Sequence, residues 1–166
     1  GKLSRGLGDV YKRQAIIVQL FSKIGLKMQV LVTGPLGGTV QLDLHANIVL
    51  AVKSFAQQLG INRLKTTIQV RLQNKVYLDM SDATEGLCES LDERNFIIDV
   101  AMFSNWVVNL AHEMVHVKQF ARGEMDAGLT RWKSNQYAGN INYWDQPWEK
   151  EARRLQFKLA EEFSKA

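Results

Sequence analysis

Cysteine is almost missing from this 166-residue chain, where Cys88 stands alone. That excludes an internal disulfide and a zinc site built from clustered thiolates. A reducing, cytoplasmic setting is the expectation. Proline occurs twice and histidine three times. No apolar run approaches the roughly 20 residues of a membrane-spanning helix, so no membrane partner is expected. Internal repeats, low-complexity runs and linkers are also missing. With 46% hydrophobic and 23% charged residues, the chain has the material for one globular domain with a core.

A diffuse excess of charge is lacking too. The formal net charge is +4, but Lys2, Arg5, Lys12 and Arg13 against Asp9 supply +3 of it. The remainder is nearly neutral, so bulk charge makes no case for a nucleic-acid partner. Ser4 to Gln14 read SRGLGDVYKRQ. The last six back-translate to GAT GTG TAT AAG AGA CAG, and the stretch resembles a sequencing-library adapter read in one frame. Residues 1–14 are therefore expected to be foreign to the fold and to come with assembled environmental DNA. Residues 15–27 are either a short amphipathic helix or translated sequence ahead of a start at Met28. Residues 28–166 are expected to form a single domain.

What is present centres on Trp106 to Ala121, WVVNLAHEMVHVKQFA. Val107, Leu110, Met114, Val117 and Ala121 recur at three- and four-residue spacing, which predicts a helix with a core-facing stripe, and Gly123 is a natural stop. His112 and His116 lie four apart, on one face of that helix, the spacing with which two imidazoles reach one zinc ion. Glu113, one step round, can reach a water on that ion without ligating it. Two of the three histidines fall in this H-E-x-x-H pattern. The third, His45, has no second ligand at a metal-binding spacing and reads as structural or exposed.

Around this helix the chain alternates between strand and helix patterns. Residues 29–34 and 39–44 alternate about Pro35-Leu36-Gly37-Gly38 and read as a hairpin. Ala46 to Leu59 reads as a helix ended by Gly60. Thr67 to Leu72 reads as a strand and Asp79 to Thr84 as a polar loop. Gly86 to Leu91 and Asn95 to Ala101 read as a second hairpin about Asp92-Glu93. After Gly123 an aromatic-rich loop, with Trp132, Tyr137, Tyr143 and Trp144, runs to Gln146 and looks packed over a site.

Pro147 then suits the first turn of a last helix. Trp148, Glu151, Ala152, Leu155, Leu159 and Phe163 share one face of it. A carboxylate on an otherwise apolar face needs a partner, which can be a metal ion, an arginine or a lysine. Glu151 is thus the preferred third metal ligand and Glu149 the next choice.

NFIIDVA, AHEMVHVKQFARG and PWEKEA together resemble the zincin metallopeptidases with a glutamate third ligand, in particular small SprT-like or phage-encoded metallopeptidases. The resemblance covers about Thr67 to Ala166. It implies an α+β, zincin-like fold, a small mixed or antiparallel sheet whose motif helix and C-terminal helix form the metal site. It implies a zinc ion held by His112, His116 and Glu151, and hydrolysis of a protein or peptide substrate by a water whose proton Glu113 takes. It also implies substrate pairing along Phe96 to Val100, an oxyanion stabiliser in Tyr143 or Tyr137, and supporting roles for Asn109 and Gln119. The alternatives are a non-catalytic zinc-containing structural or assembly protein and a DNA-associated SprT-like protease.

Overall fold

Thr66–Gln73 (β2) buries every second residue, and that strict alternation sets one face of a four-stranded sheet against the helices. The structure is a computed structural model describing residues 27–34, 39–73, 76–78, 82–101, 105–136 and 141–166. The adapter-like stretch, the 15–26 segment, the turn at 35–38, residues 79–81 and Tyr137 lie outside the described residues.

The sheet order is β1-β2-β6-β5. Met28–Thr33 (β1) runs parallel to β2, and β2 runs parallel to Asn95–Ala101 (β6). Gly86–Ser90 (β5) pairs antiparallel with β6 and stands at the edge. The sheet is thus mixed, and with three helices the class is α+β. The β5–β6 hairpin is the expected one. Asp92 closes its turn, with Oδ1 accepting from the backbone N–H groups of Arg94 at 2.7 Å and Asn95 at 2.9 Å.

Three expectations are corrected. Residues 39–44 are not the second arm of a hairpin; they open the helix Thr39–Gln58 (α1). Leu44, Ile48, Val52 and Phe55 continue one stripe through the following turns, and a helical period sustained for 20 residues outweighs six residues of alternation. β1 pairs instead with β2, and a parallel pair needs a crossover, which α1 supplies. Residues 82–84 are not loop but strand β4, antiparallel to Val76–Leu78 (β3). Finally, Phe96 to Val100 cannot receive an extended substrate, because β6 is hydrogen-bonded to a strand on each side.

The core joins Ile68, Val70, Phe96, Ile98 and Val100 of the sheet to Phe55 of α1 and to Leu110, Met114 and Val117 of Trp106–Ala121 (α2). Truncating Phe55, wholly buried, would cost about 3–5 kcal/mol. α2 ends at Gly123, whose φ of 68° is the left-handed conformation that glycine adopts at least cost. Beyond it the aromatic segment folds as the two-residue strands Arg131–Trp132 (β7) and Asn135–Gln136 (β8) and a 3-10 turn at Tyr143–Asp145. Pro147–Lys165 (α3) follows, with proline in its first turn, and packs along α2. No helix among the described residues is long and apolar enough to cross a membrane.

Candidate metal centre

The packing of α3 on α2 brings three side chains to one point. His112 Nε2 lies 2.9 Å from Glu149 Oε2, and His116 Nε2 lies 3.1 Å from Glu149 Oε1. One possible ligand atom from each residue falls within 4.8 Å of the others. The imidazole rings stand 5.0 Å apart at 77°. All three residues are largely buried.

The other ring nitrogens fix what these can do. His112 Nδ1 donates to Gln156 Oε1 and His116 Nδ1 to Gln119 Oε1, each at 2.7 Å. Gln119 is oriented in turn, because its Nε2 donates to the Trp148 carbonyl at 3.0 Å. With Nδ1 carrying a hydrogen on both rings, each Nε2 meets the carboxylate either as imidazolium N–H or as a lone pair sharing a cation with it. In the protein alone both rings are pushed toward the first form. Burial opposes charge on His116, but the Glu149 hydrogen bond and the Glu113 and Glu149 charges outweigh it and hold the ring up at about 9. His112 is likewise raised against burial, chiefly by Glu149. Burial would raise Glu149, yet its two histidine partners hold it well below the usual carboxylate range. A divalent cation could replace those two protons, since two imidazoles with one carboxylate are a donor set that suits zinc and its neighbours. The residues therefore fit a metal ion.

Glu151 is not part of this cluster. Two positions apart on a helix means about 200° of rotation, so Glu149 and Glu151 cannot face the same point. Glu151 Oε1 instead accepts from Lys118 Nζ at 2.8 Å, and Lys118 also binds Glu124 at 2.8 Å. The carboxylate on the apolar face did need a partner; that partner is a lysine. Burial would raise Glu151, and the Lys118 hydrogen bond overrides it.

Glu113 is buried beside the cluster. Burial raises its pKa most, and the two histidines pull it back only in part. Its carboxylate occupies room left by Gly86 on β5, where an added Cβ would sit 2.7 Å from Glu113 Oε1. Cys88, on the same face of β5, stays a thiol because burial and then the Glu113 charge push it up.

The cluster forms one wall of a cleft of about 810 Å³. β5 gives the opposite side, and Leu129, Tyr143 and Trp144 give an exposed apolar rim. The Tyr143 phenol is pushed up by burial, by the Glu149 charge and by its hydrogen bond to Glu149, so its hydroxyl stays protonated. Asn109 also lines the cleft, and its Nδ2 is buried without a partner. His45 lies on α1, outside the cluster.

Sequence reasoning anticipated His112, Glu113, His116, Tyr143, Asn109 and Gln119 as cleft or supporting residues. It missed Gly86, Gln156 and Arg153. For the last two a signal existed: positions 149, 153 and 156 fall at the 4-3 spacing of one helix face. For Gly86 none existed, because its contact with Glu113 is purely tertiary. No family model, curated protein or solved structure matches this chain.

Proposed function

We propose that the chain is a zinc-dependent, zincin-like metallopeptidase acting on protein or peptide. One observation carries the reading: the Nε2 atoms of an H-E-x-x-H helix converge on the Glu149 carboxylate while the Glu between them lies buried at the mouth of the same cleft. A purely structural ion has no need of that fourth group.

His112, His116 and Glu149 would hold the ion. When bound, zinc supplies Lewis acidity to a water and to the scissile carbonyl. Gln156 and Gln119 keep both imidazoles in the Nδ1–H tautomer, with Nε2 lone pairs aimed inward. Glu113 accepts the proton of the attacking water and returns it to the leaving amine; its raised pKa moves it toward neutrality, where such an exchange is efficient. Tyr143 offers a protonated hydroxyl from the rim, suited to an oxyanion. The edge strand β5, rather than β6, is the element along which an extended peptide can add.

The test is elemental analysis of the purified protein beside His116→Ala, followed by a peptide-library digest beside Glu113→Gln. One zinc per chain, lost in His116→Ala, is expected. Glu113→Gln should keep the zinc and lose at least about 100-fold in turnover. Folded protein without metal, or full activity in Glu113→Gln, would overturn the reading. Bound zinc with no cleavage of any peptide by the unmutated protein would point to a non-catalytic metal protein.

A further inference from the structure

Arg153 sits one helical turn after Glu149 and lines the same cleft. It is the only lysine or arginine among the described residues that does so. Its Nη2 donates to the Trp144 carbonyl at 2.7 Å. Its guanidinium carbon lies 4.9 Å from the Trp144 ring centre and 5.8 Å from that of Tyr143, so two aromatic faces hold the plane. The other terminal nitrogen, Nη1, is buried and has no hydrogen-bond partner. Among the described residues no carboxylate lies within ion-pairing distance of this cation, whereas Glu149 and Glu151 on the same helix are both paired.

A buried cationic donor without a counter-ion is costly unless something arrives to pair with it. One arm is tied and the plane is stacked, so the cation is held in place at the cleft wall and a ligand that pairs with it need not freeze a mobile side chain. A carboxylate oxygen answers this arrangement best, because it brings the counter-charge together with the acceptor and matches the guanidinium's geometry. We infer that Arg153 is a specificity-determining residue that recognises a carboxylate of the substrate beside the cleaved bond. The carboxylate has two chemical sources, a peptide's C-terminal α-carboxylate or an Asp or Glu side chain. The inference rests on the peptidase reading and narrows its substrate class.

Four matched peptides separate the possibilities on the zinc-loaded full chain: one ending in a free carboxylate, the same peptide amidated, and a pair differing by internal Glu against Gln. The protein is expected to prefer a carboxylate-bearing member by about tenfold or more in kcat/KM. Loss of the preference on amidation identifies the α-carboxylate; loss on Glu to Gln identifies the side chain. Arg153→Gln should remove the preference, lowering kcat/KM on the carboxylate-bearing peptide about tenfold more than on its neutral counterpart, with the difference in KM. Arg153→Lys, which keeps the charge but gives up the planar guanidinium fork, should retain part of it. Equal cleavage of all peptides by the unmutated protein, or a loss in Arg153→Gln that is the same for charged and neutral peptides, would overturn the inference and leave the peptidase reading standing.

Binding provides the separate readout. Trp144 is 65% exposed and stacked on Arg153, so its fluorescence should report ligands there. Titrating metal-free Glu113→Gln with the free-acid and amidated peptides should show tighter binding of the acid, abolished by Arg153→Gln. That result without cleavage by the unmutated protein would sink the peptidase reading alone. No difference in binding between acid and amide, nor between the internal Glu and Gln peptides titrated in the same way, would sink carboxylate recognition.

Discussion

Gln119 accepts a 2.7 Å hydrogen bond from His116 Nδ1 and, at 0% exposure, is shut in the core between α2 and α3. The two residues lie on one helix, but the amide is oriented by the Trp148 carbonyl on the other. The tautomer of His116 is thus set by the helix–helix packing, not by α2 alone.

Replacing that amide should therefore be felt at the metal. Gln119→Leu is expected to weaken zinc binding about 10–100-fold in a chelator competition. It should also lower stability by about 1–3 kcal/mol, because the buried His116 Nδ1–H loses its acceptor. Unchanged zinc affinity would show that His116 needs no such support.

Glu149 and Glu151 make a second, sharper pair. Glu149→Ala should abolish zinc binding. Glu151→Gln should leave zinc stoichiometry intact and cost about 1 kcal/mol in thermal unfolding, since Lys118 keeps Glu124. The reverse pattern would return the third-ligand role to Glu151.

Gly86→Ala tests the room beside Glu113. The new Cβ would lie 2.7 Å from a carboxylate oxygen at the flexible end of its side chain, so Glu113 can swing away at small cost in stability. Turnover should fall at least about tenfold, with melting temperature and zinc content nearly unchanged. Retained turnover would mean that the position of Glu113 is not held by this contact.

Acid should loosen the turn that carries the edge strand. The Arg94 backbone hydrogen bond and then the Asn95 side chain hold Asp92 below its ordinary value of 3.8. A carboxyl depressed in the folded state contributes stability that is fully present above 3.8 and lost as pH falls through the lower folded value. NMR titration of the Arg94 and Asn95 amides should give a midpoint below 3.8. A midpoint at or above 3.8, or amide shifts insensitive to Asp92→Ala, would contradict the turn's dependence on this carboxylate.

Much of the site was legible because its first part is local. Four-residue spacing alone places His112 and His116 on one face, and Glu113 follows from the same geometry. Gly123 and Pro147 likewise mark where α2 ends and α3 begins, by backbone chemistry that needs no neighbours. The choice between Glu149 and Glu151 was not legible. Both lie in or near the first turn of α3, and which one meets the histidines depends on the rotation of α3 about its own axis. Residues 39–44 show the same limit from another side: six alternating residues fit a strand or the first turns of a helix, and only the stripe beyond them decides.

What the sequence determined by itself is the set of features governed by neighbours a turn or a pleat away: the motif helix, the β5–β6 hairpin, the terminal helix and the sparing of the chain from disulfides. What only the tertiary structure decided is every relation between elements. Glu149 meets the histidines while Glu151 meets Lys118, because of how α3 is rotated against α2. Glu113 fits because a glycine on another element leaves room, and Arg153 lines the cleft one turn after Glu149. Such relations depend on helix rotation and strand order, which are settled by how whole faces pack together rather than by any local run of residues.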